Sequence, residues 1–131
     1  MLTQQIVLAV DDDQTITDSI KTVLELENYK VVTASNPKKA LSLMRVHTPN
    51  IIISDINMPQ MDGVVACRHM RERARNDFPI IMVASVDDAD SIRHAFEAGA
   101  TDFILKPVNW PLFQRRLDSV VSEWNRAQEF D

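Results

Sequence analysis

The sequence predicts a doubly wound α/β domain, one parallel sheet covered by helices on both faces. Three observations carry this. Short apolar runs rich in Val and Ile, such as Ile6-Val7-Leu8-Ala9-Val10 and Ile51-Ile52-Ile53, recur along the chain without polar alternation, as strands buried on both faces do. Segments of helical periodicity separate them, so strand and helix alternate five times. Chemistry-bearing residues then stand where the runs end: Asp11-Asp12-Asp13, Asp55, Asp87-Asp88 and Lys106-Pro107. In such sheets ligands sit beyond the carboxyl ends of the strands.

Each element follows in order. After the first strand, Ile16, Ile20, Val23 and Leu24 recur at helical spacing and form a buried stripe. Asn28 stops that helix, and Lys30 to Ala34 is the second strand. Ser35-Asn36-Pro37 supplies a cap and a Pro tolerated in the first helical turn. Ala40, Leu41 and Met44 face inward before His47-Thr48-Pro49-Asn50 ends the helix. The third strand closes on Asp55, and the turn-rich Asn57-Met58-Pro59-Gln60-Met61-Asp62-Gly63 follows. The next helix carries Val64, Cys67 and Met70 on its inner side, with Arg68, Arg71, Arg73 and Arg75 expected in solvent. The fourth strand starts after Pro79, and Asp88 to Ala98 is a helix closed by Gly99. The fifth strand is short. The last helix buries Phe113, Leu117, Val120, Val121 and Trp124, and Phe78 and Trp124 read as core aromatics.

Composition narrows the function. At 131 residues with 45% hydrophobic content, the chain is one domain with enough apolar surface for a core. A net charge of −5 argues against a nucleic-acid surface. The single cysteine, Cys67, cannot form an internal disulfide and reads as a small buried hydrophobe. His47, His69 and His94 lack metal-ligand spacing. No apolar run nears the roughly 20 residues needed to cross a bilayer, and Met1-Leu2-Thr3-Gln4-Gln5 lacks the basic start of a secretory signal. A cytoplasmic location fits, with no membrane contact.

Right-handed crossovers bring the ends of strands one, three and five to one crevice. Asp11, Asp12 and Asp55 are then neighbours. Three unpaired carboxylates repel, and at least one would hold its proton to a raised pKa unless a divalent cation intervened. All-oxygen ligation suits Mg²⁺ better than Zn²⁺. Asp55 stands alone at the end of the central strand, placed to attack a phosphoryl group and form an acyl phosphate. Such transfer needs positioning and charge neutralisation, which a metal and the ammonium of Lys106 supply.

The segments Val10-Asp11-Asp12-Asp13, Ser54-Asp55-Ile56-Asn57-Met58-Pro59-Gln60-Met61-Asp62-Gly63 and Leu105-Lys106-Pro107 resemble the receiver domain of bacterial two-component response regulators, in order and spacing. The resemblance spans about Gln5 to Trp124, so residues 1–131 read as a single receiver domain with a core of about 5–124. It implies a flavodoxin-like sheet with strand order 2-1-3-4-5. It also implies that Asp55 accepts a phosphoryl group from a sensor histidine kinase or histidine phosphotransfer protein. Asp11 and Asp12 would bind Mg²⁺ together with Asp55 and the Asn57 backbone carbonyl, Lys106 would contact the phosphoryl group, and Lys106-Pro107 would be cis. Output would pass through the face of the fourth helix, fifth strand and fifth helix, as a dimer or output-domain contact, with Arg93, Asp102, Arg115 and Arg116 as polar candidates.

One departure stands out. The family usually places Thr or Ser at the end of strand four, where this chain has Ala84, with Ser85 as its neighbour and a substitute if strand alternation fails. Strict alternation would turn Ser85 away from Asp55. Phe103 matches the aromatic that moves with that hydroxyl. The stretch Ala95 to Pro111, with Lys106-Pro107-Val108-Asn109-Trp110, resembles receivers that precede diguanylate cyclase domains, and any such activity would reside in another domain. Nothing after Trp124 has the length of an output domain, which leaves a single-domain regulator or an excised receiver. Two other readings remain. One is a pseudo-receiver that binds a partner without phosphorylation, favoured by Ala84. The other is a phosphohydrolase, disfavoured because Asn57 stands where a general acid would be needed. No turnover of an external substrate is expected.

Overall fold

The computed structural model describes residues 4–58, 62–74, 78–85 and 88–129. Asp87, Arg75, the Pro59-Gln60-Met61 segment and Met1-Leu2-Thr3 therefore lie outside the described residues. The elements are β1 (Ile6–Val10), α1 (Gln14–Glu25), β2 (Lys30–Ala34), α2 (Pro37–Val46), β3 (Ile51–Asp55), α3 (Gly63–Ala74), β4 (Ile80–Ser85), α4 (Ala89–Glu97), β5 (Asp102–Lys106) and α5 (Trp110–Glu129). All strand pairs are parallel, in the order β2-β1-β3-β4-β5. This is the doubly wound sheet that the apolar runs predict.

Side-chain alternation divides the core into two layers. Leu8, Ile52, Ile80, Met82 and Ala84 point to one face, where Ala40 and Met44 of α2, Cys67 and Met70 of α3, and Ala95 of α4 cover them. Val7, Ile51, Ile53, Ile81 and Val83 point to the other, under Ile20 and Leu24 of α1 and Phe113 and Leu117 of α5. β3 lies at the centre of the sheet, and all five of its residues are buried. β5 is an edge strand; it is as long as β1 and only partly covered.

The helix boundaries follow local chemistry. Asp13 caps α1 by accepting from the Thr15 N–H, and Asn36 caps α2 by accepting from the Lys39 N–H ahead of Pro37. Asn28 closes the α1 connection at a φ of 68°. Gly99 closes α4 at a φ of 115°, a backbone that a side chain would strain.

One reading of the arginine run fails. Arg71 is half-buried, not solvated: its Nε donates to the Gly99 carbonyl at 2.9 Å, and a terminal nitrogen donates to the Phe78 carbonyl at 2.7 Å. Its guanidinium also lies 5.5 Å from the Trp124 ring centroid. The loop carbonyls around it need donors, and a planar fork with five N–H groups can serve several at once.

Candidate functional site

The carboxyl ends of β1, β3 and β5 converge. β1 ends at Val10, and Asp11 follows with its N–H on the Ala34 carbonyl of β2 at 3.1 Å, which fixes its backbone beside the sheet edge. Asp11 is buried at 3% exposure and Asp55 at 2%, whereas Asp12 is exposed. One carboxylate oxygen from each of Asp11, Asp12 and Asp55 lies within 4.8 Å of the others. Asp13 does not join them, because its side chain caps α1 and its N–H donates to Asp11 Oδ1 at 2.9 Å.

Asp55 is held from both sides. Lys106 reaches past β4 from the edge strand and places Nζ 3.2 Å from Asp55 Oδ2. The Asn57 N–H donates to Asp55 Oδ1 at 3.2 Å. The loop closes tightly beneath: the Gly63 N–H donates to the Ile56 carbonyl at 2.8 Å, and a Cβ on Gly63 would overlap the Ile56 backbone. The Lys106–Pro107 peptide is cis.

The electrostatics of the cluster suit a bound cation. Burial pushes the Asp11 carboxyl up to about 6; the Asp55 charge adds to the rise, while the Asp13 N–H and Lys106 oppose it. Asp11 Oδ2 is buried with no hydrogen-bond partner. An orphaned carboxylate oxygen beside two further carboxylates is what a hard divalent cation satisfies, and the absence of His or Cys from the set fits Mg²⁺.

The register at β4 revises the expected geometry of the hydroxyl. Asp55 pairs with Val83 and Ser85 pairs with Lys106. Ser85 shares its parity with Val83 and Ile81, the face that Ile53 and Asp55 share on β3. Ala84 points the other way, fully buried with Ile80 and Met82. Alternation thus turns Ser85 toward the Asp55 and Lys106 side, opposite to the orientation expected from counting alone. Phe103 is half-buried on β5, and its ring meets Phe96 of α4 edge-on, with centroids 5.9 Å apart.

One contact had no counterpart in the sequence reading. Asn57 Nδ2 donates to Asp88 Oδ2 at 3.2 Å, joining the loop after β3 to the first turn of α4. The position of Asp88 at a helix start on the carboxyl edge was its only signal. On the α4-β5-α5 face, Arg116 pairs with Asp102 at 3.1 Å and Arg93 pairs with Asp90 at 3.4 Å, while Arg115 is exposed. An apolar groove of about 320 Å³ runs between β5 and α5, lined in part by Phe103, Leu105 and Leu112.

Comparison with known proteins gives the same answer from sequence and from shape. The family model of the response regulator receiver domain matches residues 7–118. The chain is 35% identical over 125 residues to a probable transcriptional regulator, ycf27, of Guillardia theta, covering 95% of this chain and 48% of that protein. The chain spans about half the length of the curated relatives it matches. Among solved structures, it is similar to a CheY-like response regulator receiver domain protein from Methanospirillum hungatei, with a TM-score of 0.90 at 27% identity, covering 95% of this chain and 99% of that one. It is also similar to the chemotaxis response regulator CheY4 of Vibrio cholerae, with a TM-score of 0.83 at 31% identity, covering 90% and 99%.

Proposed function

The chain belongs to the response regulator receiver family, and on that premise we propose that it is a Mg²⁺-dependent phosphoacceptor switch with Asp55 as the residue modified. The observation that carries the proposal is the pairing of a buried Asp55 with Lys106 at 3.2 Å, beside two further carboxylates. Asp11, Asp12, Asp55 and the Asn57 carbonyl would hold the Mg²⁺, whose chemistry is to neutralise charge on the transferring phosphoryl oxygens.

The chain's own residues do the rest. The Asn57 N–H holds Asp55 Oδ1, which leaves Oδ2 on the Lys106 side. Oδ2 attacks phosphorus, the bond to the donor breaks, and the donor leaves with the electron pair. Lys106 then exchanges a carboxylate partner for a phosphoryl oxygen. The phosphoryl donor would be a sensor histidine kinase or a histidine phosphotransfer protein. Output would follow from a shift between two conformations, read on the α4-β5-α5 face by a partner, a second copy or an output domain. The site transfers a group to its own side chain, so no turnover of an external substrate is proposed. Among the described residues, no helix is long and apolar enough to cross a membrane, which accords with a cytoplasmic role.

The test is incubation with acetyl phosphate followed by intact-mass measurement. One added phosphoryl group that requires Mg²⁺ and is absent from Asp55→Asn supports the proposal. A protein that takes up no phosphoryl group with the metal bound is the phosphorylation-independent interaction module instead.

A further inference from the structure

Asp88 occupies the N-cap position of α4, yet its side chain caps nothing. Each of the four other helices follows an Asp or Asn that uses its side chain as a cap: Asp13 accepts from the Thr15 N–H at 2.9 Å, Asn36 from the Lys39 N–H at 2.8 Å, Asp62 from the Val64 N–H at 2.7 Å and Asn109 from the Leu112 N–H at 3.1 Å. Asp88 has a backbone φ of −111° and ψ of 45°, outside the extended region that a capping residue adopts. Its carboxylate is committed elsewhere, to Asn57 Nδ2 at 3.2 Å. Asn57 is the residue whose N–H holds Asp55 Oδ1. Two hydrogen bonds therefore link the phosphoacceptor carboxylate, through one residue, to the start of α4.

We propose that Asp88 is a positioning residue of the Asp55 site, holding the Asn57 carboxamide, and that it turns to cap α4 when that bond is released. The two uses compete, because the carboxylate leaves the first turn of α4 for as long as it is directed at Asn57. The inference rests on Asp55 as phosphoacceptor only for what triggers release. A phosphoryl group on Asp55 brings three acceptor oxygens and close to two negative charges beside Asn57. The carboxamide then has a new anionic acceptor, and the same charge repels Asp88. Asp88 thus ties the occupancy of the site to the order of the first turn of α4, a helix on the proposed output face.

The experiment is amide hydrogen exchange on the full chain, read at Asp90 and Ser91, the N–H groups that an N-cap side chain at position 88 would accept from. Removing the carboxamide with Asn57→Ala should free Asp88 and slow exchange at those two amides about fivefold, the factor that a capping side chain contributes to a helix start. The double variant Asn57→Ala with Asp88→Ala should show no slowing. Asp88→Asn, which keeps an acceptor oxygen for Asn57, should behave as wild type. Amides of β3 and β4 report whether each variant is folded, and Asn57→Ser serves the same purpose if Asn57→Ala is not. Unchanged or faster exchange at Asp90 and Ser91 in a folded Asn57 variant overturns the proposal. Adding Mg²⁺ and fluoroberyllate to wild type should give the same slowing without a substitution. Failure of fluoroberyllate to bind counts against the phosphoacceptor reading alone, and the Asn57 variants still decide the role of Asp88.

Discussion

Asp11 shows how much a single side chain can reveal about the site. Its carboxyl holds a proton up to about pH 6 in the folded chain, against 3.8 for the ordinary group. Between those values the folded state binds more protons than the unfolded one, so stability falls as pH rises through the window. For the metal-free protein that loss falls between about pH 4 and pH 7. Urea unfolding across that range should show it, Asp11→Asn should flatten it, and Mg²⁺ should reverse it above pH 6 by binding the ionised form. Residue register decides a second outcome. Ala84 is fully buried against the α2, α3 and α4 side, so Ala84→Thr is expected to overpack that layer and lower stability by about 1–3 kcal/mol. Ser85→Ala should instead weaken the structural response to fluoroberyllate, since Ser85 lies in register with Lys106 on the Asp55 side. A larger response from Ala84→Thr, with none lost from Ser85→Ala, would show that the strand end departs from alternation.

At the scale of elements, the connections after the strands set the geometry, and two residues fix them. Gly63 lets α3 begin against the Ile56 backbone, so Gly63→Ala should displace the loop that holds Asn57 and slow phosphoryl labelling even if the sheet survives. Arg71 does the corresponding work at the opposite edge, joining α3 to the loops before β4 and β5. Arg71→Ala leaves the Phe78 and Gly99 carbonyls without that donor and should cost about 2–3 kcal/mol in chemical denaturation. Arg71→Lys should recover only part of this, because one ammonium cannot reproduce the fork. A fully solvated Arg71 would show neither effect.

For the whole molecule, most of the fold was legible in the sequence because five apolar runs and their punctuation name a parallel sheet. The site was legible because such a sheet gathers the ends of β1, β3 and β5, where Asp11, Asp12, Asp55 and Lys106 stand. The contacts that escaped are long-range ones. Arg71 looks like one member of a wet arginine run until Gly99 and Phe78 fold against it. Asn57 and Asp88 are 31 residues apart in sequence. The facing of Ser85 depends on a register that counting cannot supply. Phosphorylation should change amide exchange across α4, β5 and the start of α5, and changes confined to α2 and α3 would contradict that output face. On the proposed function, this architecture makes one carboxylate, Asp55, a nucleophile toward phosphorus. Labelling with acetyl phosphate and Mg²⁺, reductive trapping of the acyl phosphate with borohydride and peptide mapping would locate the modified residue. Modification at Asp55 alone is the predicted result, and a trapped product at Asp11 or Asp12, or equal labelling of Asp55→Asn, would contradict it.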